Sequence, residues 1–198
     1  MKKYAMVFDA GTGAGRCNLF DMSGRLVSYA YREWEYLKDL SSSNKEAMLF
    51  DAEQFKKILF SLCRKVITQA GISADEIVAV SATSQREGMV WLDRFGKEIY
   101  AAPSVDLRGE EAADILSGKE PFIKEITGLP VSGMFGLARL LWYKKFNEAV
   151  YDRIDTVMMI SDWICYLLCG SKVSEPSIAS SSQLFDIKNG KWSSELLK

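Results

Sequence analysis

The segment Asp9-Ala10-Gly11-Thr12-Gly13-Ala14-Gly15-Arg16 gathers a carboxylate, a hydroxyl, a guanidinium and three glycines into one short stretch. Glycines let backbone N–H groups approach a ligand closely and point toward it, which suits phosphate. Thr12 adds a hydroxyl donor. Asp9 suits a hydrated Mg2+, which takes one or two carboxylates together with phosphate oxygens. A Walker A loop needs a Lys that is missing here. A dinucleotide fingerprint needs a third glycine where Arg16 stands, and a helix where a strand follows. The competing reading is an ordinary glycine-rich hairpin.

A second constellation is Gln85-Arg86-Glu87, closed by Gly88. It follows an apolar run, and the ends of buried strands are where α/β proteins bind ligands. Arg86 and Glu87 offer donors and acceptors suited to vicinal hydroxyls. The alternative is a solvated turn with an ion pair of little energetic weight. The chain has no histidine, so Ser-His-Asp triads, Cys-His dyads and His-ligated metals are excluded. Acid–base work falls to Asp, Glu, Lys, Tyr or Cys. Cys17, Cys63, Cys165 and Cys169 form no CxxC pair, and read as small apolar residues in a reducing cytoplasm.

These groups need elements to position them. Tyr4–Phe8, Arg16–Phe20 and Leu26–Trp34 read as strands joined by tight turns, an antiparallel meander. Residues 51–70 read as a helix, because Phe55, Ile58, Leu59, Leu62, Val66 and Ile67 fall on one stripe. Asp51 is its expected N-cap, Gln54 holds the capping-box position and Gly71 is the stop. Ile77–Val80 reads as a buried strand. Met89–Leu92 and Glu98–Ala101 flank a hairpin signal at Asp93-Arg94-Phe95-Gly96. Helical pattern returns at 106–116 and 134–146. Val157–Ile160 reads as a strand, and Ser161 as the cap of a helix that Gly170 stops. Residues 174–183 are polar and small, and 186–192 are turn-like. The order indicates an α/β domain with a mixed sheet, similar to the ribonuclease-H-like core of actin-like ATPases.

The 198 residues suit one large domain, and 48% hydrophobic content is enough for a core. With 25 Lys plus Arg against 26 Asp plus Glu, the net charge of −1 gives no basic footprint for nucleic acid. No apolar run reaches the ~20 residues of a membrane span. Asp9 interrupts the apolar stretch a secretory leader would need, so a cytoplasmic protein is expected.

The residues that carry chemistry also carry a resemblance. Asp9, Gly11, Thr12 and Arg16 are similar to the opening signature of FGGY carbohydrate kinases, with Gly13 and Ala14 replacing a Thr and a Ser. Gln85-Arg86-Glu87 resembles the family's substrate loop. Val105-Asp106-x-Arg108, Ser161-Asp162-Trp163, the stretch from Ser174 to Ser180, and Leu184 to Trp192 follow the family's order to the end of the chain. The opening residues, the Arg86-Glu87-Gly88 turn and Val105-Asp106 carry a finer match, to members that phosphorylate 4,5-dihydroxy-2,3-pentanedione. A xylulose- or glycerol-type lobe stays open, as do another actin-like ATPase and a non-catalytic ligand-binding or regulatory fragment.

The resemblance implies a two-lobed enzyme that transfers the γ-phosphoryl of ATP to a sugar-like hydroxyl with Mg2+. It implies phosphate binding by Gly11, Thr12, Gly13 and Arg16, with the metal at Asp9. Substrate falls to Gln85, Arg86, Glu87, Asp106 and Phe135. Residues 1–198 are then the N-terminal lobe, either a truncated gene product or an excised piece of a longer one, expected to be inactive alone. Its catalytic base and C-terminal nucleotide-binding lobe are expected beyond Lys198. The expected partners are a sugar- or polyol-like small molecule and the second lobe, with a homodimer held open and neither nucleic acid nor membrane involved. Arg139 and Trp142, at helical spacing, read as packed or amphipathic surface.

Overall fold

A computed structural model describes residues 3–198 of the chain. Three strands open it: β1 (Tyr4–Ala10), β2 (Ala14–Asp21) and β3 (Leu26–Glu33). Two short strands follow, β4 (Leu37–Lys38) and β5 (Met48–Leu49), paired with each other, and then helix α1 (Ala52–Ala70). Asp51 caps α1 by accepting from the Gln54 amide, and Gly71 ends it with a left-handed φ of 63°. Strand β6 (Ile77–Ser84) then returns parallel to β1, which gives the main sheet the order β3-β2-β1-β6. Antiparallel β1/β2 and parallel β1/β6 make it mixed, as the element order predicts.

Strands β7 (Met89–Leu92) and β8 (Glu98–Ala102) form the expected hairpin, and β9 (Thr156–Met159) pairs on the other side of β7. Between them lie a 3-10 segment (Arg108–Leu116), α2 (Glu120–Thr127), α3 (Gly136–Phe146) and α4 (Glu148–Tyr151). The chain continues through α5 (Ile160–Cys169), α6 (Pro176–Ala179), a short 3-10 turn and the small hairpin β10 (Phe185–Asp186) and β11 (Lys191–Trp192). The main core lies between one face of the four-stranded sheet and helices α1 and α5. Met6, Phe8, Cys17 and Leu19 meet Phe55, Leu59, Trp163 and Ile164 there.

Three expectations need correction. Strand β6 is not buried: Val78 and Val80 stand 50% and 47% exposed, because β6 is the sheet's edge strand and α5 shields only part of it. Ser161 does not cap α5. Met159 holds the cap position without a side-chain bond, and the Ser161 amide donates to Ser84 Oγ at 3.0 Å. The helical stretch at 106–116 winds as a 3-10 helix starting at Arg108. Helix α2 escapes a reading based on apolar stripes, although Pro121 in its first turn and Gly128 at its end mark it.

Candidate functional site

The turn between β1 and β2 is held from its outer side. Trp34 donates its amide to Gly13 O at 3.1 Å and its indole N–H to Thr12 O at 3.2 Å, and the Tyr36 hydroxyl also donates to Thr12 O. With the carbonyls drawn away, Thr12 and Gly13 lie exposed, and their amides donate to no group among the described residues. Free amides on a rigid turn are what an anion site needs. Gly15 has a different purpose from the one its sequence context implies. It lies in β2 under Trp34, where a Cβ would come within 2.5 Å of the indole ring. Asp9 and Arg16 are direct cross-strand partners, and the guanidinium donates to Asp9 Oδ2 at 3.4 Å. Asp9 is one exposed carboxylate beside free amides, which fits a hydrated Mg2+ carried by phosphate. Among the described residues no cluster of three or more Asp, Glu or Cys side chains forms an all-protein metal site.

Gln85 joins this turn to the second constellation. Its Nε2 donates to Gly11 O at 3.3 Å and to the Tyr36 hydroxyl at 2.9 Å. Its Oε1 accepts from the Ser104 amide and hydroxyl, both at 2.8 Å. Both ends of the amide are thereby used, so Gln85 braces the two loops.

Arg86 and Glu87 come together as expected, Nε to carboxylate at 3.8 Å. The Arg86 side chain is 77% exposed and that of Glu87 12% exposed. Glu87 adopts a left-handed φ of 60°, a conformation costly for a residue with a Cβ. Two contacts hold it: the Glu87 amide donates to Ser181 Oγ at 3.3 Å, and Arg139 Nη1 donates to Glu87 O at 2.8 Å. Gly88 follows because a Cβ would lie 2.6 Å from Ile160 Cδ1. Burial raises the Glu87 carboxyl above the usual range, against the opposing charges of Arg86 and Arg139.

Asp106 lies behind this loop with no exposed surface. Its oxygens accept from the Met48 and Arg108 amides, from Arg108 Nε at 2.7 Å and from the Tyr100 hydroxyl. Arg108 reaches on to Asp39 and to the Tyr143 hydroxyl, each at 2.8 Å. Burial and the neighbouring Asp106 charge push the Tyr100 hydroxyl well above its ordinary range, so it stays a donor. Phe135 is buried at the start of α3, and its carbonyl accepts from the Arg139 amide.

Arg139 is fully buried, so the reading of it as amphipathic surface is corrected. Its guanidinium donates to Glu87 O and to Ser104 O, the latter at 3.2 Å. Trp142 is buried too, and its indole donates to Glu111 at 2.6 Å. The one local signal for Arg139 is a charged residue set among Leu137, Ala138, Leu140 and Leu141. Tyr36 and Ser104 gave no local signal.

A mixed β3-β2-β1-β6 sheet with helices against one face, and a rigid glycine turn after its first strand, define the actin-like class of phosphotransferase lobes. The chain belongs to the FGGY family of carbohydrate kinases, whose N-terminal domain matches residues 4–198. It is 34% identical over 205 residues to an autoinducer-2 kinase of Escherichia coli strain ATCC 8739, covering 99% of this chain and 37% of that one. It is 33% identical over 201 residues to the autoinducer-2 kinase of Salmonella paratyphi B, covering 98% and 37%. The chain thus spans about 37% of the length of these relatives. A xyloylose kinase from Brucella ovis shares the fold with a TM-score of 0.87 at 22% identity, over 97% of this chain and 39% of that one. Among the described residues no helix is long and apolar enough to cross a membrane.

Proposed function

We propose that residues 1–198 are the N-terminal lobe of an ATP-dependent kinase whose acceptor is a small dihydroxy carbonyl compound, 4,5-dihydroxy-2,3-pentanedione. The observation that carries this is the Gln85 brace, which holds a turn with free amides beside a loop with an exposed Arg86 and a largely buried Glu87. A phosphate donor and a hydroxylated acceptor need such adjacent, mutually fixed surfaces, since positioning supplies much of the rate of phosphoryl transfer. The identity to autoinducer-2 kinases over nearly the whole chain supports the choice of acceptor.

In this reading the amides of Thr12 and Gly13 and the Thr12 hydroxyl bind terminal phosphate oxygens. Arg16 adds positive charge at the same end. Asp9 would hold Mg2+ through its hydration shell, and the metal would neutralise charge developing on the transferring phosphoryl group. Arg86 donates to an acceptor oxygen, and Glu87 accepts from a hydroxyl. Gln85, Asp106 and Phe135 act by position, since Gln85 and Asp106 have their polar atoms engaged and Phe135 is buried. The base that takes the acceptor's proton, the adenine contacts and the rest of the nucleotide site belong to the second lobe.

The test is a kinetic comparison on the full-length protein with ATP and Mg2+. The proposal expects kcat/KM for 4,5-dihydroxy-2,3-pentanedione to exceed that for xylulose, glycerol and gluconate by roughly 10²-fold or more, since hydroxyls and carbonyls placed differently leave the site's polar groups unpaired. Equal or higher kcat/KM for xylulose or glycerol would replace the acceptor. No sugar-dependent ATP turnover would remove the kinase reading.

A further inference from the structure

Cys17 and Cys63 lie 46 positions apart in sequence, yet their sulfurs are 3.8 Å apart. Cys17 is fully buried on the face of β2 turned to α1, and Cys63 is half-buried on α1 beside Leu59, Leu62 and Val66. We propose that this pair is an oxidisable dithiol, and that a peroxide converts it to a reversible intrachain disulfide fastening α1 to β2. The sulfurs already touch, and a bond of about 2.05 Å asks them to close by under about 2 Å, within reach of side-chain rotation.

The two thiols have distinct roles in the step. Cys17 donates its S–H to Cys63, which holds the Cys63 thiol below its usual range. That bond, with burial, pushes Cys17 up. Cys63, part-exposed and the more easily ionised, attacks the peroxide oxygen. The O–O bond breaks, water leaves, and Cys63 becomes a sulfenic acid. Cys17 then attacks the Cys63 sulfur. The S–S bond forms, the S–O bond breaks, and the departing hydroxide takes the Cys17 proton as a second water. One peroxide takes up the two electrons the two thiols lose.

The closed loop would contain β3, Trp34 and Tyr36, whose side chains both hold Thr12 O. Oxidation therefore fixes the support of the β1–β2 turn. Cys165 and Cys169 provide an internal control. They lie four residues apart on α5, too far separated along one helical face for a strain-free bond.

The experiment uses the full-length protein, reduced and then exposed to hydrogen peroxide, with non-reducing tryptic mass spectrometry. The expected product is a linked peptide pair joining Cys17 to Cys63, lighter by about 2 Da than the separate peptides. Dithiothreitol abolishes it, and it is missing from Cys63→Ser. Oxidation raises the melting temperature of the wild type but not of Cys63→Ser. Cys63 passing to sulfinic acid with Cys17 still free overturns the proposal. So does a product set limited to Cys169-linked dimers.

Discussion

At the β1–β2 turn, Asp9 and Arg16 face each other at 3.4 Å with 34% and 56% of their side chains exposed. Behind the Arg86–Glu87 loop, Asp106 and Arg108 meet at 2.7 Å with none exposed. Both are Asp–Arg pairs, yet they answer to different physics. The buried pair has each Asp106 oxygen engaged and shares its cation with Asp39, so it serves to shape the loop in front of it. The exposed pair gains little from its own contact, because water screens it. Its groups keep the freedom to exchange each other for other partners, which the proposed reading takes to be a phosphate and its metal. The buried corner makes the geometry, and the open turn keeps its groups unspent.

Asp106→Ala should have the largest effect. It would strand Arg108 and Arg139 in the interior with one carboxylate fewer, and should cost about 3–5 kcal/mol in denaturant unfolding. A loss below about 1 kcal/mol would mean that the corner is as loosely coupled as the turn. Gly15→Ala presses a methyl into the Trp34 ring and should destabilise by roughly 1–3 kcal/mol. An unchanged melting curve would show that Trp34 moves freely and does not set the turn.

Glu87 sits on the boundary between the two regions. Removing its charge as Glu87→Gln should weaken acceptor binding by roughly 1–3 kcal/mol, measured by calorimetry on the full-length protein. Because the folded state raises its carboxyl, it holds its proton to higher pH than the unfolded chain. Its contribution to stability therefore falls as pH rises from the ordinary carboxylate value through the raised one. Acceptor affinity moves the other way, since the ionised form accepts the hydroxyl. Wild type and Glu87→Gln should thus differ in the slope of both curves over that window. Identical pH profiles would return Glu87 to the status of a structural residue. The smallest stability effect belongs to Arg16→Ala, under about 1 kcal/mol, accompanied by a several-fold rise in KM for ATP.

The meander and α1 were legible because their signals are local: alternating strands, an apolar stripe, Asp51 before it and Gly71 after it. The two segments proposed to meet ligand stood out for the same reason, as runs of adjacent residues. What joins them was not. Gln85 finds Gly11, Tyr36 and Ser104 at separations of 74, 49 and 19 residues, and only the closed sheet brings them together. Asp106 entered the site through the family resemblance alone, and a carboxylate two residues from an arginine reads the same in sequence whether solvated or buried. Its contacts with Tyr100 and the Met48 amide show it buried and engaged. Strand β6 looked buried because Ile77–Val80 is apolar, and composition does not say which strand ends a sheet.

In the proposed division of labour the open turn handles phosphate, and the Arg86–Glu87 loop, braced by Gln85 and backed by the buried corner, handles the acceptor. Asp9→Asn in the full-length protein tests it most directly, because the substitution keeps size and removes the charge that a hard cation needs. Steady-state kinetics across Mg2+ concentrations, with acceptor binding measured separately by calorimetry, should show kcat reduced at least about 10²-fold and acceptor Kd within about twofold of wild type. An unchanged kcat, or a loss of acceptor affinity as large as that of Glu87→Gln, would contradict the division of labour between the two regions.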